Sequence, residues 1–584
     1  MQQAAKPWLT APKPGRRGYV TKNYIKGRCQ TVKRLLCCVI ILFTLSVVPP
    51  AFGDSPLPTF DEDAVRVYPY MRTGTPDIEV EQKEVKTHEE YREGNTGTEE
   101  DPAFFIKTIK LTGYPVLDEK GELRAITEKY CGRSVKVREL SSLTDEIINY
   151  CRERGYTIPL AVVPEQEIKD GELEVRIYVA EYDDVEITVN SSDIYDKTLN
   201  RYISYLKHGD VITDRRLETA MNNLNDLPGV QARAILRPGS EPGTTKIDIE
   251  VQKRKMWNNY IFADNGGSEY SGRYRFGFNT EINNPSRTGD KIIVSGMITD
   301  EDTKNYSVRY EMPIGARGTR LGIAYSETNY DFNSYNSGII NLDNVGKSKG
   351  VSVYGLTPLY RSKSDRLTLI YGYDRRDIEE ELRWRRYDLK LYDRDKDADV
   401  WHVGLSGSRY GVNQFLQYSF IYWYGDISTD GGAYYDGGYH KFTADLLKIW
   451  YWGKFNARVR ARGQLASRAL DGSEQFFLGG INGVRAYANG DGYGDSAYTA
   501  TGELRYALGI PGLELAAFVD VGAAKNLLTD EIDHLAGWGV GLRYSKPNDW
   551  YAQFDFARKI NGRPDRSEPG DDDCRLWFQV YKMF

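Results

Sequence analysis

The sequence predicts a membrane all-β protein, an antiparallel β-barrel of about 16 strands preceded by two small α+β domains. The chain has 584 residues, among them 56 Gly and 43 Tyr, and 40% of its residues are hydrophobic while 27% are charged. Its one long apolar run has 14 residues, whereas each helix of a transmembrane bundle needs about 20. A bundle of membrane helices is therefore excluded, and a closed barrel remains as the other way to cross a bilayer.

Residues 1–53 have the order of a secretory signal peptide. Residues 1–34 carry Lys and Arg but no acidic side chain, and the apolar run follows at 35–48. Ala51 and Gly53 then stand where a signal peptidase reads small residues. A single membrane anchor is the alternative, but the run is short for a bilayer. We therefore expect an exported protein.

The rest of the chain divides by its periodicity. Residues 54–103 are rich in Glu, Asp, Pro, Thr and Gly without a sustained period, which predicts an acidic linker or a plug segment. Residues 104–182 and 183–254 each alternate strands with amphipathic helices, so we expect two α+β modules. From 255 to 584 the helical period disappears, and segments of about ten residues alternate apolar and polar side chains, as barrel strands do.

Strict alternation in the last part of the chain requires one wet and one dry face of a sheet. A soluble sandwich and a membrane barrel both meet this requirement. The segment KFNARVRARGQ favours the barrel, because it sets Arg458, Arg460 and Arg462 on one face, where three cations need water or carboxylates opposite them. At about 20 residues for each strand and its connection, this part holds roughly 16 strands, and an even number is expected.

Removal of the signal peptide would leave three cysteines, Cys131, Cys151 and Cys574. An exported chain meets an oxidising compartment, so Cys131 and Cys151 can be paired in a disulfide. Closing that loop would contribute about 3 kcal/mol in the chain-entropy model. Two separate buried thiols are the alternative.

Three stretches of the chain carry motifs of one protein family. In the first module the motif residues are Gly155, Tyr156, Pro164, Gln166, Gly171 and Leu173. The second module contains LNDLPGVQARAILRPGSEPGTTKIDIEV, and the barrel contains FFLGGINGVRAYANGDGYGDSAYTATGELRY. In these stretches the chain resembles the outer-membrane transporters of two-partner secretion, the haemolysin and filamentous-haemagglutinin secretion/activation family. The resemblance implies that both modules are polypeptide-transport-associated (POTRA) domains.

The resemblance also implies a contact inside the barrel between a long loop and a later strand. The family's sixth extracellular loop carries Val-Arg-Gly-Tyr and folds back into the lumen, and its partner strand carries Phe-x-Asp-x-Gly. The matching residues are Val484, Arg485, Ala486 and Tyr487 in the loop and Phe518, Asp520 and Gly522 in the strand. The resemblance therefore implies that Arg485 pairs with Asp520 as a lumen lock, although Ala486 replaces the family's glycine. Alternation in LELAAFVDVG independently turns the three strand residues toward the lumen.

The function that the resemblance implies is a non-enzymatic translocator in the outer membrane, with its POTRA domains in the periplasm. Its expected cargo is one large secreted exoprotein, such as a haemolysin or an adhesin, received unfolded. Outer-membrane lipid and the barrel assembly machinery that inserts it are the other expected partners. An assembly factor of the same superfamily, a porin-like channel and an outer-membrane enzyme are the alternatives.

The sequence offers no catalytic, cofactor-binding or metal-binding pattern above background, so none is expected. The net charge of −6 is nearly neutral for this length, and it gives no sign of nucleic-acid binding.

Overall fold

The computed structural model describes residues 77–80 and 103–584. Within the second range it omits residues 117, 119, 242, 302, 335–341, 363, 385–388, 562–567 and 569–572. The predicted signal peptide lies outside the described residues, and so does the predicted linker apart from residue 103 and strand β1 (Asp77–Val80). None of the helices in the described part of the chain combines the length and the apolar character that crossing a bilayer requires.

The first α+β module is a three-stranded sheet covered by helices. Its elements are β2 (Ala103–Ile106), β3 (Thr108–Gly113), α1 (Glu122–Glu128), β4 (Arg133–Lys136), α2 (Val137–Glu153), β5 (Pro159–Val162) and β6 (Glu172–Val179). The sheet has the order β3-β6-β5, with β3 parallel and β5 antiparallel to β6, while β2 pairs with β4. Helix α2 turns Leu143, Ile147 and Tyr150 into the core because their spacing of three and four residues places them on one face.

The cysteines of this module are free thiols, so the disulfide between Cys131 and Cys151 that the sequence allowed is absent. Cys151 lies on the buried face of α2, whereas Cys131 follows α1 and its thiol donates to the carbonyl of Thr127 at 3.3 Å. The turn after α1 and the buried face of α2 thus hold the two side chains in separate environments. Burial raises the pKa of the Cys151 thiol, which suits a packing residue and not a reactive one.

The second module repeats the strand order of the first. Its elements are β7 (Glu181–Asn190), α3 (Asp196–Ile203), α4 (Asp214–Asn225), β8 (Val230–Pro238) and β9 (Thr244–Lys253). Strand β7 is parallel and β8 antiparallel to the central β9, and β1 adds a fourth strand parallel to β8. The module begins at Glu181, two residues before the expected boundary at 183, because Glu181 and Tyr182 already pair with β9.

Local structure explains why several motif residues of the first module are the residue types they are. Gly155 and Gly171 have φ angles of 83° and 78°, a left-handed backbone that favours glycine. Gln166 pairs with the backbone of Glu174, since its Oε1 accepts from the Glu174 N–H and its Nε2 donates to the Glu174 carbonyl, both at 2.8 Å. The Gly155 carbonyl accepts from the N–H of Asp214 at 2.9 Å, so this part of the motif lies at the joint between the two modules.

The last part of the chain forms a closed antiparallel barrel of 16 strands, and the predicted number of strands is confirmed. The first eight strands are β10 (Trp257–Asp264), β11 (Arg275–Asn283), β12 (Lys291–Thr299), β13 (Lys304–Ile314), β14 (Thr319–Ser334), β15 (Leu342–Arg361), β16 (Asp365–Trp384) and β17 (Leu389–Gly411). They continue with β18 (Gln414–Thr429), β19 (Gly437–Trp452), β20 (Phe455–Ala466), β23 (Ser496–Ala507), β24 (Leu513–Lys525), β25 (Ile532–Lys546), β26 (Trp550–Lys559) and β27 (Cys574–Met583). The short strands β21 (Phe476–Phe477) and β22 (Tyr493–Gly494) pair within the loop between β20 and β23.

Alternation along the strands gives the barrel an apolar outer face and a polar inner face. On β25, Trp538, Val540 and Leu542 are each 42–45% exposed, whereas Arg543 is buried. This is the arrangement of a barrel that meets lipid outside and water or polar groups inside.

Helix α4 of the second module contacts one rim of the barrel. The side-chain amide of Asn223 donates to the carbonyl of Ala316 in the β13–β14 turn at 3.2 Å. Just after α4, Asp226 forms an ion pair with Arg361 at the end of β15. Because the β13–β14 and β15–β16 turns lie at the same rim, the modules sit at the end opposite the β20–β23 loop.

Candidate functional site

The strand motif lies on the lumen face of β24. Phe518 and Asp520 are buried, while Val519 and Val521, which alternate with the motif residues, are exposed on the outer face. A Cβ at Gly522 would lie 3.0 Å from the Tyr498 carbonyl oxygen of β23 and 3.2 Å from the side chain of Leu478, so the glycine gives room both to the neighbouring strand and to the loop described next. The structure therefore places all three motif residues toward the lumen.

Loop 6, residues 467–495 between β20 and β23, folds into the barrel lumen. Its tip carries the loop motif, and each of the four motif residues is at most 5% exposed. The backbone of the tip is tightly turned, since the N–H of Val484 donates to the Leu478 carbonyl at 2.8 Å and that of Tyr487 to the Val484 carbonyl at 3.1 Å. The tip packs in an apolar cluster with Phe518, Leu535 and Ala557 of strands β24, β25 and β26.

Arg485 at the loop tip binds Asp520 through a bidentate ion pair. Its Nε donates to Oδ2 and its Nη2 to Oδ1, each at 2.8 Å, and its backbone N–H donates to Oδ2 at 3.1 Å. The guanidinium carbon lies 3.3 Å from the centre of the Phe518 ring, a cation–π contact. Such a buried pair needs this geometry to offset its desolvation. The residues proposed as a lock are in contact, and their role in export stays a prediction.

Two further carboxylates complete the surroundings of Arg485. Its Nη1 donates to Glu503 Oε2 at 3.0 Å and to Asp555 Oδ2 at 3.1 Å. Arg543 bridges the same carboxylates, at 3.1 Å from Glu503 and 2.6 Å from Asp555, and Arg505 also pairs with Glu503. We name this set the lumen cluster, and it comprises Arg485, Arg505, Arg543, Glu503, Asp520 and Asp555. Within this set three cations face three carboxylates, as burial away from bulk water requires, and Arg505 also lies 3.5 Å from the carboxylate of Glu514 outside the set.

The tip has two further anchors, on the last strand and just after β26. The indole N–H of Trp577 on β27 donates to the Arg485 carbonyl at 2.5 Å. The hydroxyl of Tyr487 donates to the backbone and side-chain oxygens of Asn561, both at 2.8 Å. These bonds fix the residues on both sides of Ala486.

The beginning of loop 6 is held against the opposite wall of the barrel by a second set of ion pairs, which we name the base anchor. Asp471 pairs with Lys396 of β17 at 2.7 Å. Glu474 pairs with Lys441 of β19 at 2.7 Å and also with Arg376 of β16. Glu474, Asp471 and both lysines are buried. Loop 6 thus crosses the lumen between strands β16–β19 and strands β23–β27.

The predicted basic row lies on the lumen face of β20, but its cations have polar partners. Arg460 pairs with Asp445 of β19 at 3.0 Å, and Arg462 lies 3.6 Å from the same carboxylate. Arg458 donates to the side-chain oxygen of Asn456 at 3.0 Å and stands opposite Glu503 on β23. The row is therefore part of the balanced lumen wall, and the structure gives no unscreened cationic stripe there.

Ala486 adopts its position without a glycine-like backbone. The non-glycine residues with positive φ in the described part of the chain are Asp170, Asn284, Arg287, Asp530 and Asn548. Since Ala486 is not among them, the turn of the loop motif needs no left-handed residue here. The departure from the family's glycine leaves the ion pair of Arg485 intact.

Several members of this site escaped the sequence analysis. Alternation puts Glu503 and Arg543 on inward faces, but nothing local indicates that they meet Arg485. Trp577 and the base anchor carry no motif at all.

Among the described residues, no group of three His, Cys, Asp or Glu side chains has a geometry that could hold a metal ion.

The sixteen-stranded barrel, the N-terminal α+β modules and the inward loop define the class of this protein, an outer-membrane transport barrel. The comparison with known families names it more closely. A model of the haemolysin secretion/activation protein family ShlB/FhaC/HecB matches residues 243–544, and a ShlB-type POTRA domain matches residues 104–181. The chain belongs to this family and is a two-partner secretion transporter.

Curated relatives agree in length and in kind. The chain is 23% identical to the heme/hemopexin transporter protein HuxB of Haemophilus influenzae, over 81% of this chain and 87% of that protein. It is 22% identical to the outer membrane transporter CdiB of Dickeya dadantii, over 77% and 82%. The hemolysin transporter protein HpmB of Proteus mirabilis is also 22% identical, over 71% and 73%.

Solved structures share the fold. CdiB from Escherichia coli superposes with a TM-score of 0.66 at 19% identity, covering 84% of this chain and 92% of that chain. CdiB from Acinetobacter baumannii gives a TM-score of 0.61 at 19% identity, covering 95% and 98%. At this identity the likeness concerns the fold alone.

Proposed function

We propose that this transporter exports one large exoprotein, such as a haemolysin or an adhesin, which its POTRA modules receive unfolded in the periplasm. The names of two relatives support this class of cargo, since one is a hemolysin transporter and another a heme/hemopexin transporter. The periplasmic side is the rim that α4 contacts through Asn223 and Asp226. The outer apolar face meets outer-membrane lipid, the barrel assembly machinery inserts the protein, and no enzymatic step is involved.

The sheet edges of the modules suit an extended chain. A peptide added as a strand gains main-chain hydrogen bonds whatever its sequence, and alternate side chains then supply specificity. Strand β1 supports this mode, because four of its residues pair with the β8 edge of the second module. An unfolded exoprotein offers many segments able to bind in the same way.

The observation that carries the proposal is loop 6 lying across the lumen with Arg485 bound to Asp520. A chain that passes through the barrel must displace this loop, and another polar chain is able to replace the charged contacts that the loop tip makes with the wall. The lumen cluster therefore acts as a gate whose closed state is the one described here.

The test is export of a candidate exoprotein encoded beside this transporter. Deletion of residues 104–254 is expected to abolish export while the barrel still inserts, which its heat-dependent gel migration reports. Arg485→Ala is expected to lower export without loss of the inserted barrel. Normal export by the deletion variant would contradict the role of the modules, and normal export by Arg485→Ala would contradict the gate.

A further inference from the structure

Gly537 on the lumen face of β25 lies directly against the tip of loop 6. A Cβ built on Gly537 would stand 2.4 Å from the Cβ of Ala486, closer than two such atoms approach in real structures. The other near atom is the carbonyl oxygen of Arg558, at 3.2 Å. The space that a side chain of residue 537 would need is thus filled by the methyl group of Ala486.

The position of Gly537 in the sheet explains why this contact matters. Gly537 is the cross-strand partner of Asp520, the carboxylate that binds Arg485. A bare backbone beside Asp520 lets the residue that follows Arg485 lie flat against the wall. Residue 537 therefore sets how closely the tip approaches its carboxylate.

Backbone conformation does not explain the glycine. The φ angle of Gly537 lies outside the left-handed region, so any residue can adopt it. Without the methyl of Ala486, the nearest atoms to a Cβ at residue 537 would be the Arg558 carbonyl oxygen of β26 at 3.2 Å, a close contact, and the Ala486 Cα at 3.6 Å. The loop itself is the principal obstacle to a side chain at this position.

We propose that Gly537 is a positioning residue that seats the loop-6 tip, and that it compensates in this chain for Ala486 at the family's glycine position. One methyl group fits between loop and wall, and here it belongs to the loop. The bonds of Arg485 and Tyr487 hold Ala486 in place on both sides, so a second methyl displaces the tip as a whole. This inference rests on the proposed gate only for its effect on export.

The experiment compares three variants of the full chain, Gly537→Ala, the double variant Ala486→Gly/Gly537→Ala, and Gly502→Ala. Gly502 on β23 is the matched control, because a Cβ there has no atom within 4 Å. Trypsin cleavage after Arg485, mapped by mass spectrometry on detergent-solubilised protein, measures docking of the tip independently of export. Export of the exoprotein is measured in parallel.

We expect Gly537→Ala to increase cleavage after Arg485 by about fivefold to a hundredfold, the range that one extra methyl in a packed site produces. The double variant should return to the wild-type rate, and Gly502→Ala should keep it. A merely structural role of Gly537 in the barrel would not be rescued by shortening the loop residue. Unchanged cleavage in Gly537→Ala, or a double variant as exposed as Gly537→Ala, overturns the inference. Lost docking with unchanged export supports the inference and refutes the gate.

Discussion

Arg485 of loop 6 donates to Asp520 through its side chain and its main chain at once, so a single carboxylate fixes both the guanidinium and the backbone of the loop tip. Glu503 and Asp555 also bind the Arg485 guanidinium. Arg505 and Arg543 in turn neutralise these two carboxylates. The tip is therefore held by a charge-balanced cluster in which each member depends on the others.

We predict that removing a pair of opposite charges from the lumen cluster releases the loop less than the two single removals added together. Asp520→Ala leaves three cations facing two carboxylates, and Arg485→Ala leaves the reverse imbalance. Loss of one partner of a buried pair costs about 3–5 kcal/mol, because the other charge is left uncompensated. The double variant restores the balance, so its loop should be released less than the sum of the two single effects.

Channel conductance in planar lipid bilayers measures this release. Both single variants should open larger and more frequent conductance steps than the wild-type barrel, with heat-dependent gel migration as the control for a folded barrel. If Arg485→Ala and Asp520→Ala conduct like the wild type, or if their effects simply add in the double variant, the cluster does not hold the loop.

Alternation predicted which side chains face the lumen, and the family resemblance predicted the pair of Arg485 with Asp520, but neither predicted the contacts of Arg485 with Glu503 and Asp555. Alternation along β24 sufficed to place Asp520 and Gly522 inward, because a strand leaves only two faces to choose from. The partners of Arg485 lie 18 residues away at Glu503 and 70 residues away at Asp555. Their contact depends on barrel closure and strand register, and the alternation is the same for every register shift of two residues.

Two other features show the same limit. The spacing of Cys131 and Cys151 allowed a disulfide, but which way α2 turns its thiol is decided by packing of the module. Gly537 stands in the run Gly-Trp-Gly-Val-Gly, whose outward Trp538 and Val540 the alternation identifies. That Gly537 faces the loop tip follows only from the folded position of loop 6, which the alternation does not predict.

The base anchor should be as important for the loop as the tip. The buried carboxylate of Glu474 pairs with both Arg376 and Lys441. Glu474→Gln removes its negative charge and leaves both cations without this partner. We expect a loss on the order of 3 kcal/mol in the stability of the loop–wall contact. Glu380, whose side chain is 25% exposed, is the matched control, since Lys396 keeps its ion pair with Asp471 after Glu380→Gln.

The temperature at which the folded gel form disappears reports the effect. It should fall for Glu474→Gln and stay close to the wild type for Glu380→Gln. Equal temperatures for Glu474→Gln and the wild type would show that loop 6 is held by its tip alone.

The first module should lose stability in acid through Glu146. This carboxylate accepts from Lys129 at 2.5 Å and from the hydroxyl of Tyr130 at 2.9 Å. The bond from Lys129 and that from Tyr130 hold the pKa of Glu146 below its ordinary value of 4.5. A lowered folded-state pKa contributes stability above pH 4.5, and this contribution is lost as the pH falls through the lowered value. Partial exposure screens the pair, so the contribution is below about 1 kcal/mol.

Urea unfolding of residues 104–254 at pH values between 7 and 3 tests this expectation. The wild-type midpoint should decline in acid, whereas Glu146→Gln should start lower at pH 7 and decline less. Glu153→Gln, an exposed carboxylate at the end of the same helix, serves as the control and should follow the wild type. Parallel acid profiles for Glu146→Gln and the wild type would remove this ion pair as a source of pH dependence.

The contact between Asp226 and Arg361 predicts a charge-reversal rescue at the joint of module and barrel. Asp226→Arg places two cations against each other at the rim, and Arg361→Asp places two carboxylates there, so each should loosen the second module by roughly 1 kcal/mol. Exchange of both residues restores an ion pair of opposite direction.

A cysteine pair across the neighbouring contact of Asn223 with Ala316 measures the joint, because its rate of disulfide formation follows the time the module spends docked. That rate should fall in both single variants and recover in the double variant, and export should follow it if the docked module delivers the exoprotein to the lumen. A double variant that cross-links as slowly as the single ones would mean that the ion pair does not hold the joint and that Asn223 and its apolar neighbours carry the contact.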